Sequence, residues 1–161
     1  MTNRFPVFID IEASTAEETS YPIAISWSLP DGQLKSVLVI PEDEWEPWDN
    51  ADPGIDVQHL FDHGMTGADI IRELNEDLDG LTVFVDGLDE DERLLEMLFD
   101  SFQQSIGFEL AVITELFSGH TLENILFMRE DIAREFQLDL ETIEDRIRAH
   151  LFLANEHRIF G

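Results

Sequence analysis

The chain of 161 residues has no cysteine, and its only lysine is Lys35. Without cysteine, disulfide scaffolds and thiolate-bound metals are excluded. No apolar run approaches the roughly 18 residues that a membrane-spanning helix needs. The N-terminal stretch also lacks the basic region and apolar segment of a secretory signal. These absences predict a soluble protein of the cytoplasm, with no membrane partner.

Basic residues are scarce as well. Nine lysines and arginines stand against 36 aspartates and glutamates, which gives a formal net charge of −27. Such a charge repels phosphate backbones at long range and attracts cations. It is compatible with high solubility, with a salty cytoplasm, with a surface that mimics DNA, or with an acidic face that docks a partner. The 43% hydrophobic content excludes a disordered acidic tail and predicts a folded domain.

The first forty residues have the pattern of a β-sheet. Apolar or alternating runs at 5–11, 22–29 and 34–40 predict three strands, and Asp31-Gly32 between the last two is typical of a tight turn. We therefore predict a three-stranded antiparallel meander. Residues 41–56 are rich in proline, acids and tryptophan, which predicts an irregular loop.

Helices and strands alternate along the rest of the chain. Thr66 is a candidate N-cap, because an apolar stripe at helical spacing follows it. Strands are predicted at 81–85 and 108–114. Further amphipathic helices are predicted by apolar residues spread over 94–102, 122–136 and 140–154. The order predicts one α/β domain over 1–161, a mixed sheet flanked by helices.

Two acids stand inside the first strand, in the stretch FPVFIDIEAS. Asp10 and Glu12 are two residues apart, so their side chains project from the same face of a strand. Two neighbouring carboxylates oppose each other's ionisation, and burying them requires a compensating cation or donor. Magnesium binds such oxygens together with water and substrate phosphate. The pair therefore predicts either a divalent metal site or a solvated strand end.

These residues carry a resemblance to a known family. FIDIEAS, followed by SYPIAISWSLPDGQLKS, resembles the opening of the DEDD-type 3′–5′ exonucleases of the ribonuclease H-like fold, in particular the small stand-alone bacterial members. The D-x-E of the family's first strand matches Asp10 and Glu12. The small-residue turn, the YPIE-like second strand and the DG hairpin follow in the same order. PGIDVQHLFDHG (53–64) is similar to the family's next segment.

The resemblance continues in VFVDGLDEDERLLEMLF (83–99). It puts Asp91 at the metal-associated aspartate of the second motif and Asp86 at an earlier, non-catalytic aspartate. An acid at a helix N-terminus is also favoured by the helix dipole alone, which is the alternative role of Asp91.

The third motif of the family is a histidine, commonly followed by Arg-Ala, with an aspartate five residues after it. EHRIFG (156–161) offers His157, which is the preferred match to the DEDDh histidine. The alternative is His150, with Asn155 standing where the family has its aspartate. In both registers the fourth metal-binding carboxylate is absent from this chain, and it stays open whether the family's last helix is present.

The resemblance implies a ribonuclease H-like three-layer fold and a two-metal site for Mg²⁺ or Mn²⁺. Asp10, Glu12 and Asp91 would hold metal, and His157 would be the general base. The implied activity is 3′–5′ hydrolysis of single-stranded DNA or RNA ends. The missing acid and the charge of −27 support an alternative, a catalytically impaired member of the fold that acts as a binding or interaction module.

Overall fold

One mixed β-sheet organises the computed structural model of the chain, which describes residues 4–49, 51–88 and 90–160. Asp89 and Gly161, in two of the stretches that carry the resemblance, lie outside the described residues. The described strands are β1 (Val7–Ala13), β2 (Pro22–Ser28), β3 (Leu34–Leu38), β4 (Thr82–Val85) and β5 (Glu109–Val112). Their order is β3-β2-β1-β4-β5. The first three strands are antiparallel, as predicted, whereas β4 and β5 run parallel to β1.

Helices occupy most of the remaining described chain. They are α1 (Val57–His63), α2 (Gly67–Leu78), α3 (Asp91–Asp100), α4 (Ile113–Leu116), α5 (Leu122–Phe136) and α6 (Ile143–Glu156), with a 3₁₀ turn at Asp43–Trp45. In the part of the chain that the structure describes, none of these helices has both the length and the apolar character to cross a membrane.

The alternation of side chains along β1 divides the core into two parts. Val7, Ile9 and Ile11 pack with the apolar residues of α2 and α3 on one face of the sheet. Phe8 belongs to the other face, where the apolar residues of α5 and α6 cover it. The result is a three-layer α/β arrangement. Because side chains alternate along a strand, Asp10 and Glu12 share the face of Phe8, on which α6 packs; Asp10 is buried there and Glu12 is exposed.

The predicted N-cap at Thr66 is confirmed, since its hydroxyl accepts a hydrogen bond from the Asp69 backbone N–H. Two short helices were not predicted. In α1 only Leu60 is buried, so the helix leaves almost no apolar period in the sequence. The strand predicted to reach residue 114 ends at Val112, because the backbone turns into α4 at the next residue.

Candidate functional site

Two buried carboxylates lie side by side at the carboxyl ends of two neighbouring inner strands, β1 and β4. Asp10 is near the carboxyl end of β1, and Asp86 directly follows β4. Because β1 and β4 are parallel, with Val7 opposite Val83, Asp10 and Asp86 lie at the same level. Both side chains are almost fully buried. The carboxyl ends of neighbouring parallel strands are where α/β folds commonly build sites.

Each of these carboxylates is matched by an arginine from a covering helix. Arg146 Nε, on α6, donates to Asp10 Oδ2 at 2.6 Å. Arg129 Nη1, on α5, lies 3.4 Å from Asp86 Oδ2. The second oxygens also accept hydrogen bonds, from the backbone N–H of Ile11 for Asp10 and of Leu88 for Asp86. The positive charge that compensates Asp10 in this structure is therefore a guanidinium group.

His150 joins the second of these ion pairs. Its Nε2 lies 3.3 Å from Arg129 Nη1, and its ring packs 5.2 Å from that of Phe8, measured between ring centres. Burial lowers the pKa of His150 to about 3, helped by the charge of Arg129 and opposed by that of Asp86. His150 is thus a neutral core residue at physiological pH, and its Nε2 accepts from Arg129, since a guanidinium can only donate.

The burial of His150 predicts a pH dependence of stability. Its folded pKa lies below the unfolded value of 6.5, so the unfolded state binds the extra proton as pH falls. The contribution is complete above pH 6.5 and is lost toward pH 3, with a slope of at most about 1.4 kcal/mol per pH unit. We expect His150→Gln to flatten the dependence of the unfolding free energy between pH 6 and 4, measured by urea denaturation. The exposed His59→Gln is the control, and equal slopes in both variants would contradict the assignment.

Glu12 shares the face of Asp10, as the spacing predicts, but its side chain is exposed. Partial burial of the carboxyl raises the pKa of Glu12. The positive charge of Arg146 lowers this pKa, and the negative charge of Glu144 raises it. Glu144 itself accepts a hydrogen bond from the Ser36 hydroxyl at 2.6 Å. The Arg146 guanidinium thus acts on both predicted metal ligands of β1.

Asp91 is the first residue of α3 and is buried. The apolar side of α3 packs on the sheet face opposite to α6. Arg93 holds this end of α3 in place, because its guanidinium donates to the carbonyl and hydroxyl oxygens of Ser20 and to Glu90. A helix N-terminus favours an acid at this position.

Helix α6 runs antiparallel to β1. Three contacts along the two elements show this direction: Arg146 with Asp10, His150 with Phe8, and Phe160, just beyond α6, with Phe5. The helix therefore brings its first turn, and not its last, to the carboxylates of β1.

His157 therefore does not lie beside the carboxylates of β1, Asp10 and Glu12. His157 directly follows the end of α6 and is eleven residues after Arg146. At a rise of 1.5 Å per residue, this corresponds to about 16 Å along the helix. Its ring stacks on that of His120 at 5.3 Å and meets the edge of Phe117 at 5.9 Å. The structure thus separates His157 from Asp10, although the resemblance puts them in one site.

The alternative match, His150 with Asn155, is also not brought together in the structure. His150 is buried, whereas Asn155 is exposed. The two residues are five positions apart, so their side chains point about 140° away from each other around the axis of α6. The two side chains do not share a site. Among residues 4–49, 51–88 and 90–160, no group of three or more histidine, aspartate or glutamate side chains is arranged to hold a metal ion.

Two residues of the site, Arg129 and Arg146, were not predicted from the sequence. Arg129 stands within the apolar stripe of α5, four residues after Ile125 and three before Ile132, and Arg146 stands three after Ile143. In a chain with only nine basic residues, an arginine at a stripe position was a signal that a buried acid needed a partner. The sequence did not say which acid.

No protein-family model matches the chain, and neither does any curated protein sequence.

Proposed function

We propose that this chain is a ribonuclease H-like domain related to the DEDDh exonucleases that has lost phosphodiester hydrolysis and acts as a binding module. The observation that carries the proposal is the 2.6 Å contact between Arg146 Nε and Asp10 Oδ2. In the resemblance, Asp10 is one of the carboxylates that would hold metal. Here a guanidinium from α6 donates a hydrogen bond to that carboxylate.

The residues present do not fit the implied two-metal centre. Asp10 Oδ2 is bound to Arg146, and Oδ1 accepts the Ile11 backbone N–H. A divalent ion at Asp10 would lie against the guanidinium charge, and two like charges in a partly buried site repel strongly. Glu12 is exposed, and the charge of Arg146 acts on its carboxyl as well. We therefore derive no hydrolytic step for the domain.

Neither of the two described histidines matched to the family's general base reaches Asp10. Such a group must come within hydrogen-bond reach of the water that it deprotonates, about 2.6–3.2 Å. His157 lies about 16 Å along α6 from Arg146, by the rise of a helix. His150 is buried, and its Nε2 is directed at Arg129. Neither histidine supports proton transfer beside Asp10.

The charge of the chain supports a protein ligand over a nucleic acid. With a net charge of −27, the domain repels a phosphate backbone, whose binding ordinarily depends on several lysine or arginine contacts. The same field attracts a basic protein and accelerates its association. The module is thus suited to a basic protein partner.

A nuclease assay tests the proposal. The protein is incubated with 5′-labelled single-stranded DNA and RNA, with Mg²⁺ or Mn²⁺, and the products are separated on a denaturing gel. We expect no shortening from the 3′ end. Shortening by the unmodified protein and by Asp62→Asn, an exposed control, that disappears in Asp10→Asn would contradict the proposal.

The second candidate is a metal-dependent 3′–5′ exonuclease that acts on single-stranded ends. It is favoured by one observation, that Asp10 and Glu12 share a face at the carboxyl end of β1. For that activity Mg²⁺ or Mn²⁺ would have to displace Arg146 from Asp10. Cleavage that depends on Asp10 in the same assay supports this candidate.

A further inference from the structure

We propose that a groove beside α6 binds an apolar side chain of a basic partner protein. The inference rests on the proposed binding function and names its surface. The groove, called here the α6 groove, lies between the β2–β3 turn and α6 and has a volume of about 440 Å³. Its lining combines apolar and polar side chains: Phe5, Leu34, Leu151 and Phe152, with Asp31 and Asn155. This volume is within the usual range for ligand pockets.

The apolar surface continues outside the groove. Phe152 is 37% exposed and Phe136 is 43% exposed, and their rings stack in parallel with centres 4.2 Å apart. On the other side, Phe5 meets the edge of Phe160, which is 39% exposed. Large aromatic side chains left in water cost free energy, and a contiguous patch of them marks an interaction surface.

The net charge of the whole chain favours a basic occupant, while the groove lining itself holds one acid, Asp31, and one arginine, Arg148. Among the described residues, Arg148 is the one basic side chain in the lining, and its Nη1 is bound to Asp145 Oδ1 at 2.7 Å. A hydrogen bond from the Asp139 backbone N–H and the charge of Arg148 lower the pKa of Asp145, so Asp145 is ionised at neutral pH. Asp31 is exposed at the opposite side.

A second copy of the chain is the less favourable occupant. Two molecules of net charge −27 repel each other, whereas a partner with lysine or arginine beside an apolar anchor gains from the same field. The anchor supplies the buried contact, and the flanking cations supply orientation and a fast association. Both requirements are met by a short peptide segment of a basic protein.

Peptide binding tests the inference. The probe is a fluorescein-labelled peptide with a central tryptophan flanked by lysines, measured by fluorescence anisotropy. We expect it to bind the unmodified protein and to bind Phe152→Ser about tenfold more weakly or worse. Asn155→Arg, which adds a cation at the groove, is a second variant expected to weaken binding. Phe127→Ser is the matched control, because Phe127 is 64% exposed but does not line the groove.

Two control peptides separate the contributions. Serine in place of the tryptophan removes the anchor, and glutamate in place of the lysines reverses the charge, and each change is expected to weaken binding. The inference is overturned if no probe binds, if the serine peptide binds equally well, or if Phe152→Ser and Phe127→Ser behave alike. Sedimentation that shows a dimer dependent on Phe152 would also overturn it, in favour of a second copy.

The two proposals fail in different experiments. Absence of peptide binding in a protein that cleaves no oligonucleotide removes only the α6 groove inference. Cleavage that requires Asp10 removes the proposed function, whatever the peptides do.

Discussion

Replacing Arg146 by aspartate is expected to lower the melting temperature in EDTA by on the order of 10 °C. The variant loses the cation that compensates the nearly buried Asp10 and puts a second carboxylate beside it. Breaking a buried ion pair by removing one partner costs about 3–5 kcal/mol. In a domain of this size, 1 kcal/mol shifts the melting temperature by about 2–4 °C. The measurement is thermal unfolding followed by circular dichroism.

Adding Mn²⁺ to the Arg146→Asp variant is expected to restore much of that loss. Asp10, Glu12 and the introduced carboxylate then offer oxygen ligands without a competing guanidinium, which is the donor set that such ions prefer. A ligand that binds only the folded state stabilises it by about 2.7 kcal/mol at one hundred times its dissociation constant. The unmodified protein is expected to show no comparable shift with Mn²⁺.

Arg148→Asp is the matched control for this experiment. It makes the same change of charge two residues further along α6, where the side chain is exposed and paired with Asp145. We expect a small loss of stability and no response to Mn²⁺. A metal response in the unmodified protein equal to that of Arg146→Asp would show that Arg146 does not block the site. A variant that folds but ignores Mn²⁺ would show that Asp10 and Glu12 are not arranged as ligands.

The second large effect is expected at the other ion pair. Arg129→Met removes the cation beside Asp86, and both partners are almost fully buried. Because an uncompensated carboxylate then remains in the core next to His150, we expect the unfolding free energy to fall by about 3–5 kcal/mol. Urea denaturation at pH 7 measures this change.

A double-mutant cycle separates the ion pair from packing. Asp86→Asn combined with Arg129→Met removes both charges, and we expect the double variant to be more stable than Arg129→Met alone. Arg134→Met is the control on the same helix, since Arg134 pairs with Asp131 on the surface and exposed pairs contribute little. Equal losses in Arg129→Met and Arg134→Met, or additive losses in the cycle, would contradict a coupled buried pair.

Much of the fold could be predicted because its signals are local. The turn at Asp31-Gly32, the alternation along the first strands and the cap at Thr66 each depend on neighbours within a few residues. The helix α1 and the end of β5 were not predicted because their local signals are weak. Only Leu60 of α1 is buried, and α4 begins directly after β5 without a loop between them. The prediction of a shared face for Asp10 and Glu12 followed from the period of a strand.

The cation that meets Asp10 could not be predicted in this way. Sequence spacing shows that Arg146 and His157 lie about 16 Å apart on or beside one helix, because the rise of a helix is fixed. It does not show which end of that helix meets β1.

By itself the sequence determined the net charge of −27, the order of the five strands and the four longer helices, and a carboxylate pair on one face of the first strand. The tertiary structure decided what that pair contacts. Packing of α6 antiparallel to β1 brings Arg146 to Asp10 across 136 residues of chain and leaves His157 at the far end. Such a contact depends on how whole apolar faces dock, and residue spacing along the chain does not contain that information.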